Sequence, residues 1–512
     1  MKKLLALVLA LVMTLGLATV GANAALSDFK DADDVNYAEA VAVMNAIGVF
    51  VGDDNSNFRP DEQLKRSEAA KVVAYLLLGQ KAADAIQATG TKFTDVPANH
   101  WAEGYIEYLA SQNVLGGMGD GTFQPDSNLT ATQYAKMLLV ALGYDAEIEG
   151  FGGSDWSINV QKVANQVGIY DGNDEVVGSA AVTRDEAALY AFNTVKSPLV
   201  EYDSKLTVDI KGEGSVTVGN SNAKYKVSNS LSKQTISTKE DLNGGYIAEF
   251  AEEYYPGLVY TSEDDGFGRG QNHWEYKGVA IGSYTDTTDL IATYTKKVTK
   301  DTLYKLIGSS TVDRFDDDRT AVTYGANAYL FAFLDGVDYE DVTDKDLDTE
   351  AGIKQFFVKN DVDGAAGASG NGVLTEVYKW TDAYGNIYVK VVQINTYLVK
   401  APADYNETRD EVSVEQIDFD TKANSAGTAG GKSTIQARFP TAISGEDFDV
   451  KDIEKGDYLL VTWSKADDAI GTVDKAELLT GKVTQYPENS NVYVDGEKKE
   501  YNNRVGYGTG HE

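Results

Sequence analysis

The chain has 512 residues, a length that corresponds to about three domains of ordinary size. It contains no cysteine, which excludes disulfide bonds, thiolate metal sites and a thiol nucleophile. Its 45 Lys and Arg against 79 Asp and Glu give a formal net charge of -34, and this acidity argues against nucleic acid and anionic lipid as partners.

The first 24 residues have the pattern of a secretory signal. Lys2 and Lys3 supply a positive start, an apolar run follows over 4–17, and an A-x-A cleavage site ends at Ala24. The apolar run is short for a membrane-spanning helix of roughly 20 residues, so cleavage is favoured over a retained anchor. The mature protein is therefore predicted to be secreted, to lack a membrane segment, and to stay on the cell surface only by binding something there.

A unit of two helices joined by a glycine-rich turn is repeated along residues 29–195. The best-formed copy, 93–143, contains a glycine-rich turn between two stretches whose apolar residues recur at the 3.6-residue helical period. An upstream copy begins at Phe29, and a worn third copy runs from Trp156 to about Val195. Because one helix pair cannot bury its own apolar faces, three tandem copies are predicted to pack together.

These repeats resemble the S-layer homology family, whose units begin with F-x-D-V and W, carry G-x-G-D-G-x-F-x-P-D, and open the second helix with I-T-R-A-E. The second unit here has FTDV, HW and MGDGTFQPD, and the first has FKDA, NSNFRPD and LKRSE. The third has only Trp156 and VTRDE. The resemblance covers about residues 29–195 and implies a three-unit helical spindle. Such a spindle holds a protein on a bacterial cell wall by binding a secondary, often pyruvylated, wall polysaccharide.

The start of each second helix is the predicted binding site. Thr183 and Glu186 form a capping box, and capping alone is the simpler interpretation of this segment. It leaves Arg184 unexplained, because a cation in the first helical turn opposes the helix dipole by roughly 0.3–1 kcal/mol. Arg66 stands at the same place in the first unit. Free helix-start amides beside a guanidinium suit a carboxylate, such as an acidic sugar or a pyruvyl ketal.

The resemblance adds that the arginine of the T-R-A-E motif is the residue implicated in polymer binding. The second unit departs from that motif, with Ala131 in place of the arginine and Gln133 in place of the glutamate. The tryptophans that begin first helices suit either a core position or the stacking of a sugar ring. The predicted polysaccharide-binding residues are Arg66, Arg184, Trp101, Trp156, Asp31, Asp95, Glu68 and Glu186.

No metal, cofactor or catalytic site is predicted. Asp53, Asn55 and Asn57 have the alternate spacing of a calcium loop, but Phe58 and Leu64 stand where its glycine and its glutamate belong. The chain's three histidines are too scattered for a histidine metal cluster or a catalytic triad to be argued.

Beyond about Ser197 the pattern changes to the apolar–polar alternation of β-strands. Hairpins are predicted around 381–386 and 495–496, and glycine-rich surface loops at 363–372 and 424–432. The end at residue 512 suits either a flexible terminus or a shortened chain.

The predicted class is α+β multidomain: an all-α N-terminal part followed by β-rich domains. The predicted divisions are a signal peptide at 1–24, repeat units at 25–88, 89–150 and 151–197, and β-rich domains at 198–400 and 401–512.

The sequence predicts a secreted, non-enzymatic cell-surface protein anchored to secondary wall polysaccharide. Its β-rich tail would self-assemble into an S-layer lattice or act as a surface-interaction module. One alternative is a wall-anchored glycan hydrolase, which needs two carboxylates about 5–10 Å apart. Acidic groups do cluster around Trp274, but among 79 acidic residues such groups arise by chance. A second alternative is a free carbohydrate-binding protein that forms no lattice.

Overall fold

A computed structural model describes most of the chain. The residues described are 26, 29–90, 92–202, 206–210, 214–218, 222–228, 246–315, 327–338, 356–357, 369–370, 372–416, 440–485 and 492–499. The predicted signal peptide, the loop at 424–432, most of the loop at 363–372 and the C-terminal end lie outside these residues. Within them, helices dominate up to residue 196 and strands dominate beyond it, so the predicted α+β multidomain class is confirmed. None of the helices described is both long and apolar enough to span a membrane.

The chain forms two compact units. The first, which we call the helical unit, consists of residues 22–261 and 273–283. The second, the β unit, contains residues 262–272 and the chain from 284 onward. The change from helix to strand near residue 197 and the limit of the helical unit therefore do not coincide.

Three repeats of two helices build most of the helical unit. The helices are α1 (Ala38–Ala46), α2 (Arg66–Leu78), α3 (Gln80–Ala83), α4 (Glu103–Ser111), α5 (Ala131–Ala141), α6 (Trp156–Val167), α7 (Arg184–Lys196) and α8 (Phe250–Tyr254), with a 3₁₀ helix at Ala32–Asp34. Helices α1, α4 and α6 open the repeats, and α2, α5 and α7 close them. Each closing helix packs on the opening helix of the next repeat: α2 on α4, α5 on α6 and α7 on α1. The prediction that the three copies pack together is confirmed.

Local signals explain where the second helices begin. The Thr183 hydroxyl accepts a hydrogen bond from the Glu186 amide, and the Glu186 carboxylate accepts one from the Thr183 amide. Thr130 and Gln133 make the same reciprocal pair at the start of α5. The predicted capping box of Thr183 and Glu186 is therefore confirmed, and in each of the two pairs two amides that the helix itself leaves open are satisfied.

A closed ring of backbone hydrogen bonds joins the repeats just before their second helices. The Leu64 amide donates to the Val182 carbonyl, the Val182 amide to the Leu129 carbonyl, and the Leu129 amide to the Leu64 carbonyl, each at 2.9 Å. All three side chains are fully buried. The ring closes only with one residue from each repeat, so the worn third copy is a full structural member.

The chain after residue 197 closes the opposite ends of the second helices. The Val200 amide donates to the carbonyl of Leu142 at 2.9 Å, and the Tyr255 hydroxyl donates to the carbonyl of Tyr75 at 2.7 Å. The Trp274 indole donates to the Glu39 carboxylate at 2.6 Å and is 2% exposed. Strand-forming chain is thus part of the core of the helical unit.

The strands follow in chain order. They are β1 (Val200–Glu201), β2 (Leu206–Ile210), β3 (Gly214–Val218), β4 (Lys224–Tyr225), β5 (Val227–Ser228), β6 (Tyr246–Ile247), β7 (Leu258–Asp264), β8 (Gly270–Tyr276), β9 (Val279–Thr285), β10 (Leu290–Tyr294), β11 (Ala328–Leu334), β12 (Val337–Asp338), β13 (Val373–Thr381), β14 (Ile387–Lys400), β15 (Glu411–Ser413), β16 (Glu415–Gln416), β17 (Ala442–Ser444), β18 (Tyr458–Ser464), β19 (Ala469–Lys475), β20 (Val483–Gln485), β21 (Val492–Val494) and β22 (Glu497–Lys499). The β unit also contains helices α9 (Lys300–Ile307) and α10 (Ser309–Val312).

Strand β14 organises the β unit because it changes partners along its length. Its first part pairs with β13 antiparallel and with β11 in parallel, and from Thr396 onward it pairs with β18. One face of this sheet packs on α9 and α10 around Leu303, Ile307, Val377 and Val391. The two predicted hairpins are confirmed, since β13 turns into β14 and β21 turns into β22 at the expected residues.

Candidate functional site

The predicted binding site at the start of each second helix is a junction between repeats. We call the junctions 1–2, 2–3 and 3–1, after the repeat that gives the helix and the repeat that gives the loop. The first two amides of each helix donate to carbonyls of that loop: Arg66 to Ser127, Ser67 to Pro125, Ala131 to Ala180, Thr132 to Gly178, Arg184 to Glu62 and Asp185 to Pro60. The expectation that these amides are free for an anion is therefore wrong.

Arg66 lies across junction 1–2 and is 8% exposed. Its Nε donates to the Phe123 carbonyl at 2.8 Å and its Nη2 to the Gly116 carbonyl at 3.3 Å. Its guanidinium carbon lies 4.7 Å from the centre of the Phe123 ring. The loop carbonyls and the ring thus give this cation partners within the protein, which offsets the unfavourable helix dipole.

Arg184 repeats this arrangement at junction 3–1. Its Nε donates to the Phe58 carbonyl at 2.8 Å, its Nη2 donates to the Val51 carbonyl at 3.2 Å, and its guanidinium lies 5.1 Å from the Phe58 ring centre. Burial lowers the pKa of both arginines, although a guanidinium stays charged in proteins. Among the described residues neither Nη1 makes a hydrogen bond, which leaves one donor group of each fork available.

Junction 2–3 has no arginine, because Ala131 takes that place. The Thr132 hydroxyl instead donates to the Gly178 carbonyl at 2.8 Å. A Cβ added at Gly178 would lie 2.5 Å from that hydroxyl oxygen, so only glycine fits the close approach. Helix α5 also carries a cation, Lys136. Its Nζ donates to the Phe151 carbonyl at 2.6 Å and lies 5.7 Å from the Trp156 ring centre. Burial lowers the pKa of this lysine.

Asp31 and Asp95 hold the loops to which the arginines bind. The Asp31 carboxylate accepts hydrogen bonds from the amides of Phe58 and Arg59, both at 2.7 Å. Asp95 accepts from the amides of Phe123 and Gln124 at the same distance. Burial alone would raise the pKa of Asp95, but these backbone hydrogen bonds outweigh it and lower the pKa. The two aspartates are thus engaged with backbone amides of their own repeats.

Glu68 and Glu186 cap their own helices. The Glu68 carboxylate accepts a hydrogen bond from the Lys65 amide at 2.8 Å. Glu186 accepts one from the Thr183 amide at 2.9 Å and another from the Asn173 side chain at 3.1 Å. Both carboxylates therefore already have hydrogen-bond partners within the protein.

Trp101 differs from the other predicted site residues, because it is 54% exposed. Its indole stacks beside His100, with ring centres 5.8 Å apart, and meets the edge of Tyr105 at 6.5 Å. Burial and a hydrogen bond to Asp84 raise the pKa of Tyr105 to about 12, so this neighbour stays neutral. Trp156 is only half-buried, which leaves part of its surface open as well. An indole fixed on one side and open on the other can stack on a sugar ring.

Sequence reasoning missed Asp185, which links the third repeat to the first. Its carboxylate accepts hydrogen bonds from the Asn36 amide at 2.8 Å, the Asn36 side chain at 3.0 Å and the Tyr37 amide at 3.4 Å. Burial raises its pKa, against the effect of these bonds. The available signal was its place in VTRDE, where the family motif has alanine.

Three of the carboxylates that cluster around Trp274 in the sequence have partners within the protein. Glu252 accepts a hydrogen bond from the Glu249 amide, at the start of α8. Asp265 is buried and lies 2.5 Å from the Arg269 guanidinium, while Asp264 pairs with Lys390. Over the part of the chain that is described, no three His, Asp or Glu side chains are grouped to hold a metal ion.

Comparison with known proteins agrees with the assignment of the first two repeats. Residues 28–70 and 92–130 match the S-layer homology domain family. The chain is similar to a cell surface protein of Thermoanaerobacter kivui, with 26% identity over 348 residues, which are 64% of this chain and 41% of that protein. It thus spans about two fifths of that relative's length.

Two shorter similarities are to an anchoring protein and to an enzyme. A cellulosome-anchoring protein of Acetivibrio thermocellus is 38% identical over 92 residues, which are 18% of this chain and 20% of that protein. An endo-1,4-beta-xylanase A of Thermoanaerobacterium saccharolyticum is 31% identical over 117 residues, which are 22% of this chain and 10% of that protein.

Proposed function

We propose that this cell-surface protein, whose residues 28–70 and 92–130 are S-layer homology domains, is held on the cell wall by a secondary wall polysaccharide bound to its helical unit. The observation that carries the proposal is the exposed indole of Trp101 on a closed set of three repeats, two of which match that family. The β unit then acts outside the wall as a surface-interaction module or as part of a self-assembling S-layer.

The geometry supports different roles for the predicted residues. Trp101 supplies an aromatic surface for a sugar ring, because it is open to solvent and supported by His100 and Tyr105. Arg66 and Arg184 fix the loops beside the ligand, and their remaining Nη1 groups are donors for a carboxylate such as a pyruvyl ketal. In the second repeat, Lys136 beside the ring of Trp156 offers a cation instead.

A wall-pelleting titration with purified protein tests the proposal. Trp101→Ala should weaken binding about 2–10-fold, the value of one aromatic contact of roughly 0.5–1.5 kcal/mol. The matched control is Tyr384→Ala, since Tyr384 is an aromatic residue of the β unit that is 89% exposed. The wild-type protein should no longer bind to walls from which the secondary polysaccharide has been stripped. The proposal would be contradicted if the Trp101→Ala variant bound walls as tightly as wild type, or if the wild-type protein bound stripped walls fully.

We also propose that the chain is not an enzyme. The similarity to a xylanase involves a tenth of that protein, and Glu252 and Asp265 are committed to capping and to an ion pair. Release of soluble sugar from purified walls by the wild-type protein would contradict this and favour the wall-anchored hydrolase.

A further inference from the structure

A cluster of polar side chains lies inside the β unit, where strand β14 changes partners. Asp335, in the turn between β11 and β12, is fully buried. Its Oδ2 accepts a hydrogen bond from Asn395 Nδ2 at 2.7 Å and from the Tyr397 hydroxyl at 2.5 Å, and lies 2.9 Å from Lys465 Nζ. We call Asp335, Asn395, Tyr397 and Lys465 the Asp335 cluster.

We propose that Lys465 and Asn395 become joined by an amide bond between Nζ and the side-chain Cγ, with Asp335 moving the protons. Both nitrogen atoms contact the same carboxylate oxygen, so they lie no more than about 5.6 Å apart. A lysine amine, a carboxamide and a buried carboxylate are the nucleophile, the acyl group and the general base that such a reaction needs.

The three groups are held on rigid elements. Asp335 and Gly336 form a two-residue hairpin turn, with φ values of 50° and 83°. The Asp335 amide donates to the Gln393 carbonyl at 2.9 Å, and the Lys465 amide donates to the Asp335 carbonyl at 2.8 Å. The backbone thus places the carboxylate between the strand that carries Asn395 and the residue that follows β18. Preorganisation of this kind raises the effective concentration of reacting groups.

The side-chain carbonyl of Asn395 is the electrophile. Its Oδ1 is buried and makes no hydrogen bond with the described residues. The oxygen and nitrogen of a carboxamide are assigned from their partners and can exchange places by a flip. After a flip, a protonated Asp335 would donate to Oδ1 and polarise the carbonyl. The same Asp335 carboxyl group can therefore accept the proton of Lys465 and, once protonated, activate the acyl carbon of Asn395.

The reaction balances without a further reagent. The Asp335 carboxylate accepts a proton from the Lys465 ammonium group, and the neutral Nζ attacks Cγ of Asn395. The new C–N bond forms, and Asp335 passes its proton to Nδ2, while the amine proton also leaves Nζ. The bond from Cγ to Nδ2 breaks, and nitrogen departs as ammonia, which takes up the remaining proton as ammonium. Asp335 ends as a carboxylate, ready to accept the hydrogen bond of the new amide.

Two aromatic rings lie beside the Lys465 side chain, which is 25% exposed. The rings of Tyr397 and Trp463 lie 5.8 and 5.9 Å from its Nζ. Lys390 gives a contrast through its carboxylate partner: it pairs at 2.9 Å with Asp264, whose side chain is 55% exposed, whereas that of Asp335 is fully buried. No carboxamide is hydrogen-bonded to Asp264 among the described residues. That pair is an ordinary surface ion pair, and it serves as the internal control.

Mass spectrometry of the purified full chain tests the proposal. The wild-type protein should be lighter than its sequence by one ammonia, about 17 Da, and trypsin should no longer cleave after Lys465. Digestion should yield one branched peptide that contains both Asn395 and Lys465. Lys465→Arg keeps the ion pair but removes the nucleophile, so the deficit should vanish. Asp335→Asn should also have the full mass, whereas Lys390→Arg should keep the deficit.

Two outcomes would overturn the proposal. The first is a folded wild-type protein of full mass that trypsin cleaves after Lys465. The second is a deficit that survives in Lys465→Arg, because the ammonia would then come from another site. Neither outcome depends on Asp335→Asn, so the test stands even if that variant fails to fold.

Discussion

Junctions 1–2 and 3–1 share their backbone hydrogen bonds with junction 2–3 and differ from it in carrying an arginine at the first position of the helix. At all three, the first two amides of a second helix donate to loop carbonyls of the next repeat. Arg66 and Arg184 add side-chain bonds to further carbonyls, and Ala131 adds none. The backbone pattern is therefore common to all three junctions, and two of them add an arginine where junction 2–3 adds the Thr132 hydroxyl bond.

This difference separates two explanations of the arginine. If it serves only to join repeats, junction 2–3 should be the weakest and should improve when an arginine is supplied. If it also contacts the wall polymer, its loss should reduce binding even in folded protein.

Arg184→Ala should destabilise the helical unit by about 2–4 kcal/mol. The change leaves the carbonyls of Val51 and Phe58 without their charged donor and removes the contact with the Phe58 ring. Urea unfolding followed by far-ultraviolet circular dichroism measures the loss. The control is Arg59→Ala, an exposed arginine that pairs with Glu62 at 2.7 Å, where at most about 1 kcal/mol is expected. Equal losses in the two variants would contradict the joining role.

Gly178→Ala should destabilise junction 2–3 by about 1–2 kcal/mol. The new methyl group would lie 2.5 Å from the Thr132 hydroxyl and 3.0 Å from the Gln161 side chain, so the threonine must turn and lose its hydrogen bond. The same unfolding assay applies. Gly152→Ala is the control, because a Cβ at Gly152 meets nothing within 4 Å. A Gly178→Ala protein as stable as this control would show that the close approach is not needed.

Ala131→Arg should strengthen wall binding about 2–10-fold, by supplying a charge-assisted donor of roughly 0.5–1.5 kcal/mol at the junction that lacks one. Ala131→Met has similar length without charge and should leave the affinity unchanged. Pelleting titrations compare the two variants with wild type. Equal effects of the two changes would assign the result to packing rather than to the guanidinium.

The smallest expected effect is a pH dependence of stability at Asp185, the residue that follows Arg184. Burial raises the pKa of Asp185, so the folded protein holds that proton more tightly than the unfolded chain. Its stabilising contribution is full below the ordinary carboxyl pKa and is lost as the pH rises through the folded value. Wild type should therefore lose stability relative to Asp185→Asn over that rise.

Asp95 gives the opposite sign, because backbone hydrogen bonds outweigh burial and lower its pKa. Its contribution is present above the ordinary carboxyl pKa and is lost as the pH falls through the folded value. Unfolding measured from acid to neutral pH should separate Asp95→Asn from Asp185→Asn. Parallel curves for the two variants would contradict both assignments.

Features set by neighbouring residues were predictable from the sequence. The capping box of Thr183 and Glu186 and the hairpin at Asp495 follow from rules that need only a few adjacent positions. The repeats were also visible, because apolar period and glycine turns recur together. These signals fixed the α+β class and the region of the candidate site.

Long-range partners were not predictable. Arg184 donates to a carbonyl 126 residues away, and every residue has a carbonyl, so no side-chain pattern marks the acceptor. The occupation of the helix-start amides was missed for the same reason. Trp274, which belongs to a strand, joins the helical unit through Glu39, 235 residues earlier. The aspartate–glycine turn at Asp335 carries a local signal, but its link to Lys465 appears only in the folded sheet.

The ring of Leu64, Val182 and Leu129 fixes the number of repeats at three. In an open array the terminal repeats have one neighbour, can fray, and can be gained or lost without disturbing the others. Here each repeat has two neighbours, so removing one breaks two interfaces and leaves unpaired amides in a buried place. The third copy can therefore lose most of its motif through evolution, but it cannot be deleted. Its surface is free to vary while its place in the ring is not.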